Sequence, residues 1–108
     1  MQSEIEKLEA SLEYAEGKKA LGEKMLRLAE NKDFQELIIN GYFRDEAARL
    51  TGLLGDPEFK EQEAIQSDLN SIAAFQRYTR KLIREGSMAE KEIVDHRQAI
   101  DELRVVSE

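Results

Sequence analysis

The sequence predicts an all-α fold: an antiparallel helical hairpin forming a coiled-coil stalk, residues 3–30 against 79–105, with a small helical head at 31–78, all in one domain. Three observations predict it. Two hydrophobic seams step by alternating threes and fours, the spacing of a coiled-coil contact line. The composition favours helix, with a single Pro and abundant Ala, Leu, Glu, Lys, Arg and Gln. Six of the seven aromatic residues lie in the head or at its border, Phe34, Tyr42, Phe43, Phe59, Phe75 and Tyr78, and only Tyr14 lies in the stalk.

The first seam is Ile5, Leu8, Leu12, Ala15, Lys19, Gly22, Leu26 and Ala29. The second is Thr79, Leu82, Gly86, Ala89, Ile93, His96, Ile100 and Leu103. Laid antiparallel, they pair Ile5 with Leu103, Leu8 with Ile100, Leu12 with His96 and Ala15 with Ile93. The register continues with Lys19 on Ala89, Gly22 on Gly86, Leu26 on Leu82 and Ala29 on Thr79. Two glycines meet, which lets two backbones approach closely. Gly17 lies off the seam, and no packing reason for it is visible in the sequence.

In chain order, Ser3 can cap the first helix, with Glu6 completing an S-x-x-E box. Asn31-Lys32-Asp33 breaks it. Asp33, with Glu36 three residues on, is the expected cap of a short second helix whose apolar face is Phe34, Leu37 and Ile38. Asn40-Gly41 is expected to end that helix. A third helix, about 42–54, carries Phe43, Ala47, Leu50 and Leu54 on one face. Gly55-Asp56-Pro57 closes it, with Pro57 placed as the first residue of the last helix. That last helix is expected to continue to about Val105, roughly 70 Å. The seam from Ile72 and Phe75 onward passes Gly86-Ser87 without a change of phase, which predicts a continuous helix with at most a kink.

The chain has 108 residues, enough for one modest core, and a formal charge of -7. Charged residues are 36% of the chain with the signs mixed, as long solvated helix faces require. A net acidic chain lacks the basic footprint of a general duplex-DNA binder, so nucleic acid is not an expected partner. There is no cysteine, which excludes disulfides and thiolate metal sites. Gln2, Ser3, Glu4 and Glu6 are polar, so no secretory signal peptide is expected, and no apolar run is long enough to cross a membrane. The chain is expected to be intracellular, or released with a particle assembled inside a cell.

No constellation of residues amounts to a catalytic, metal or cofactor site, and the chain reads as a non-enzyme. His96, the single histidine, admits two readings. One is a phosphoacceptor on a helical bundle, as in histidine phosphotransfer domains; those carry a Lys and a Gly soon after the His, whereas Arg97-Gln98-Ala99-Ile100 follows here. The other, which the residues favour, is a seam histidine opposite Leu12 that fixes register. A carboxylate di-metal bundle needs two Glu-x-x-His motifs, and Glu92 stands four residues before the only His. Pairs such as Asp45-Glu46 and Glu90-Glu92 read as solvated faces. Neither a Gly-x-Ser-x-Gly nor a phosphate-binding glycine loop occurs.

The candidate binding residues are of two kinds. Arg77, Arg80, Lys81 and Arg84 form a basic stripe beside Tyr78, suited to an acidic protein surface or a nucleic-acid backbone. The competing reading, which we favour, pairs them with acids such as Glu23 and Glu30 or with acids of another copy. Two helices also leave apolar flanks uncovered, namely Leu21, Met25, Leu28, Met88 and Val94, and these are expected to meet a partner or a second copy. For Phe34, Tyr42, Phe43 and Phe59, packing in the head is favoured over an exposed recognition patch.

The run from Asn31 to Phe43, then Glu46-Ala47-Ala48-Arg49-Leu50, resembles small helical proteins encoded by tailed bacteriophages, as does Ile83-Arg84-Glu85-Gly86-Ser87-Met88-Ala89-Glu90. The likeness covers roughly residues 28–95 and brings no catalytic motif or functional residue with it. It implies a phage origin and a place in the virion or its assembly, with capsid, portal, tail or other copies of the chain as partners. A small acidic phage regulator that binds and inhibits a host protein is the alternative.

Overall fold

The structure, a computed structural model, describes residues 2–107. Its elements are α1 (Gln2–Glu30), a one-turn α2 (Lys32–Phe34), a π-helical segment (Gln35–Glu46), α3 (Ala47–Leu54) and α4 (Gln62–Ser107). The described residues contain no strand, and the all-α helical hairpin is present. The chain divides into two units. One pairs α1 up to Met25 with α4 from Lys81 onward; the other comprises residues 26–80.

The hairpin unit follows the expected register. Ala15, Ala89 and Ile93 form a buried cluster with Leu12 packed against it, and Ile5 and Ile100 are buried beyond it. Gly22 and Gly86 lie against each other. A Cβ built on Gly22 would stand 2.9 Å from the Gly86 Cα and 2.9 Å from the Leu82 carbonyl oxygen. Helix α4 passes Gly86-Ser87 without a break. Two alanines and two glycines at the contact line make a narrow seam that draws the helix backbones together.

The seam departs from expectation beyond Gly22. Leu26 is exposed, and Met25, one residue earlier, is buried at 7%. A 3.5-residue repeat drifts by about 20° per heptad against a 3.6-residue helix. Over three heptads that drift moves the inward position toward the C-terminus, so it does not select Met25; the close approach of Gly22 to Gly86 draws that turn inward instead. Lys19 is half-buried, and its Nζ turns to Glu23 on its own helix at 3.9 Å.

The second unit has its own core of Leu50, Ile65 and Ile72, surrounded by Tyr42, Phe43, Ala47, Leu53, Leu54, Phe59 and Leu69. Phe43 and Phe75 meet edge-on at 5.3 Å between ring centres, and Tyr42 meets Phe75 at 6.3 Å and 80°. Tyr42, Phe43 and Phe59 therefore pack on the core rather than forming an exposed patch. Phe34 is half-buried outside that cluster.

Four expected boundaries are corrected. Ser3 lies inside α1 rather than at its cap. Asn31, not Asp33, caps α2: its Oδ1 accepts the Phe34 N–H at 3.0 Å. An Asn whose backbone is extended at the break is already placed to cap, whereas Asp33 lies within the first turn. No helix ends at Asn40-Gly41. The chain continues through the wider π turn, and Gly41 relieves its crowding, since a Cβ there would sit 3.0 Å from the Glu36 carbonyl oxygen. Finally, α4 begins at Gln62 rather than Pro57. Asp56 instead builds a turn, its Oδ1 accepting from the Glu58 N–H at 2.9 Å and its carbonyl from the Phe59 N–H at 3.1 Å. The turn aims Phe59 at the core.

Candidate interaction surface

The two flanks of the hairpin seam differ. On one flank, Glu16 accepts from Arg97 at 3.1 Å and Glu9 from Arg104 at 2.9 Å, both across the two helices. These pairs share one offset, as residues flanking an antiparallel coiled coil must. The chain's own ion pairs close this flank in part; Val94, on the same line of α4, is exposed.

The other flank is open. On α1, Tyr14, Lys18, Leu21 and Met25 step by four, three and four, a second line beside the seam. On α4, Glu85, Met88, Glu92, Asp95, Ala99 and Glu102 do the same. A shallow groove lined by Ala10, Ser11, Tyr14, Lys18, Glu92 and His96 shows that the two lines lie on the same side. Tyr14 is 68% exposed, Leu21 49% and Met88 59%. The Lys18 ammonium lies 4.5 Å from the centre of the Tyr14 ring, a cation–π contact within its own helix.

Charge is sorted across this flank. From Lys7 to Met25 the α1 line carries Lys7 and Lys18 with Ser11, Tyr14 and Leu21, and no carboxylate; Ala10, Gly17 and Lys24 lie further out, beside Glu6 and Glu13. The acids Glu9, Glu16 and Glu23 fall on the other side of the helix. From Glu85 to Glu102 the α4 line carries Glu85, Glu92, Asp95 and Glu102 and no cation, and Lys81 precedes Glu85 on the same line. Among the described residues none of the lysines and carboxylates on these two lines forms an ion pair.

Of the apolar candidates, Leu21 and Met88 belong to this open flank. Met25 does not offer an uncovered side chain: it is buried, because the close approach at Gly22 and Gly86 draws the next turn of α1 inward. Leu28 is exposed in the second unit, and Val94 is exposed on the opposite side of α4. The flank also contains residues that the sequence alone did not single out, Tyr14 and Lys18. Their signal was the run of α1 positions without an acid. Gly17 has nothing within 4 Å of a built Cβ, so its place is open surface rather than a contact within the chain.

Arg77 and Arg80 belong to the second unit, and Lys81 and Arg84 to the hairpin unit. All four are exposed, and none forms an ion pair among the described residues. The expected pairing with Glu23 or Glu30 does not occur; Glu23 is held by Lys19. His96 is half-buried at the edge of the groove, with Glu92 beside it. No group of three or more His, Asp or Glu residues among those described is placed to hold a metal ion. Among the described residues, no helix is long and apolar enough to cross a membrane.

No protein-family model matches the chain, and no curated protein or solved structure matches it either.

Proposed function

We propose that this chain is a non-enzymatic structural or assembly protein of a tailed-phage particle, acting by presenting helix faces to capsid, portal, tail or other copies of itself. One observation carries the reading. The hairpin closes one flank in part with its own ion pairs and leaves the other open, with Tyr14, Leu21 and Met88 exposed in a row and its charges unpaired. Exposed aromatic and apolar anchors surrounded by charged groups are what protein interfaces use. The phage assignment draws on the likeness of residues 28–95 to small helical phage proteins.

Mass spectrometry of purified particles tests it. The expected result is this chain at high copy in mature particles, or in immature shells if it serves as a scaffold. Its absence from both would overturn the reading. The alternative, an acidic regulator of a host protein, is favoured by the row of four carboxylates on α4, and it requires recovery of the chain bound to a host protein during infection.

A further inference from the structure

We propose that the open flank of the hairpin docks a second copy of this chain about a two-fold axis parallel to the hairpin, so that α1 of each copy lies on α4 of the other. The charge pattern selects this arrangement. Two identical flanks can meet face to face about either of two in-plane axes. With the axis across the helices, α1 covers α1 and α4 covers α4. The lysine-bearing line of α1 then faces the same line of the other copy, and the carboxylate row of α4 faces the other copy's carboxylate row. With the axis along the helices, the lysine face of α1 meets the carboxylate row of α4.

The register makes the match specific. Gly22 against Gly86 fixes which residues of α1 and α4 stand at the same height in one hairpin. A two-fold axis along the hairpin preserves those heights in the second copy. Lys7 then stands opposite the other copy's Glu102 and Lys18 opposite its Glu92. Leu21 meets Met88, and the Tyr14 hydroxyl stands level with Asp95. Opposite charges fall on opposite charges and apolar on apolar from Lys7 to Leu21. Gly17 and Ala10 keep the α1 face low, so a neighbouring helix can come close. The inference rests on reading the flank as a protein-binding surface and not on a phage origin.

The chain has no cysteine, so single cysteines report cleanly. Full-length chain is studied by sedimentation equilibrium, and the variants Leu21→Cys and Met88→Cys are treated with a short bismaleimide, separately and mixed. The expected result is a concentration-dependent dimer, with cross-linking in the mixture and little in either variant alone. Lys7→Glu with Lys18→Glu should weaken the dimer by at least about tenfold, with circular dichroism verifying that the helices persist. A chain that stays monomeric into the high micromolar range would overturn the proposal. So would Leu21→Cys cross-linking to itself as readily as to Met88→Cys. A monomer that is nevertheless recovered from particles would remove the dimer and leave the particle reading intact.

Discussion

Gly22 and Gly86 place the backbones of α1 and α4 in direct contact, with each glycine occupying the space where the other would carry a side chain. A Cβ on Gly86 would stand 2.9 Å from the Gly22 Cα and 3.3 Å from the Lys18 carbonyl oxygen. These neighbours are backbone atoms and cannot rotate away. Gly22→Ala or Gly86→Ala should therefore push the helices apart, an overpacking cost of about 1–3 kcal/mol. Alanine's helix propensity offsets up to about 1 kcal/mol of that. The expected net result is a lower urea midpoint for both variants. Gly17→Ala is the control: its Cβ meets nothing, so the same change there should raise helix stability by up to about 1 kcal/mol.

That contact was legible in the sequence because a seam is a one-dimensional pattern. Ala15, Ala89 and Ile93 are buried where periodicity placed them, and Leu50 and its aromatic neighbours form the separate core that clustering of Phe and Tyr implied. What the sequence hid lies where several local signals compete. Asn31 and Asp33 are both good caps, and only the extended backbone at Asn31 decides between them. Asn40-Gly41 carries a strong termination signal, yet the chain runs on through the π segment, where Gly41 stands close to the Glu36 carbonyl. Met25 and Leu26 are equally apolar neighbours, and the backbone contact at Gly22 and Gly86, one turn earlier, decides for Met25. The asymmetry between the two flanks needs the register first. Only then do Glu16–Arg97 and Glu9–Arg104 fall on one side and the unpaired lysines and carboxylates on the other.

The ion pairs of the closed flank are solvent-exposed, which bounds what they contribute. Glu16 and Arg97 keep 47% and 63% of their side-chain surface. A double-mutant cycle with Glu16→Gln and Arg97→Gln should give a coupling of about 0.2–1 kcal/mol, shrinking as salt is raised. A coupling near zero at low salt would mean that the pair does not hold the two helices.

Gly41 and Gly52 occupy the same unbroken helical run and should answer alanine in opposite directions. A Cβ on Gly41 crowds the Glu36 carbonyl oxygen at 3.0 Å, whereas one on Gly52 meets nothing. Gly52→Ala should gain up to about 1 kcal/mol from propensity alone. Gly41→Ala should lose about 1–3 kcal/mol, or else convert the π turn to a tighter one and shift the aromatic rings of Tyr42 and Phe43. Urea midpoints separate gain from loss, and near-ultraviolet circular dichroism detects the shift of the rings.

Gln62 ties the start of α4 to the loop before it. Its side-chain amide donates to the Phe59 carbonyl at 2.8 Å and reaches the Leu53 and Asp56 carbonyls at 3.2 and 3.3 Å. The amide thus adds a second donor to the Leu53 and Asp56 carbonyls, which already accept from the Asp56 and Phe59 N–H groups, and supplies one to the Phe59 carbonyl. Gln62→Ala should cost about 0.5–1.5 kcal/mol for the lost bonds. Gln62→Glu separates two effects that act in opposite senses. A carboxylate in the first turn of a helix gains about 0.3–1 kcal/mol from the helix dipole. It also turns a donor into an acceptor facing three carbonyl oxygens, removing every bond and adding repulsion. The carbonyl contacts are closer and more numerous, so Gln62→Glu should be less stable than Gln62→Ala at neutral pH. Below the carboxyl's titration range the protonated acid regains one O–H donor, and the gap between the two variants should narrow. Urea midpoints of the pair at pH 7 and pH 3.5, each referred to the wild-type chain at the same pH, measure it, and a Gln62→Glu variant more stable than Gln62→Ala at pH 7 would mean that the dipole, not the amide, governs this helix start.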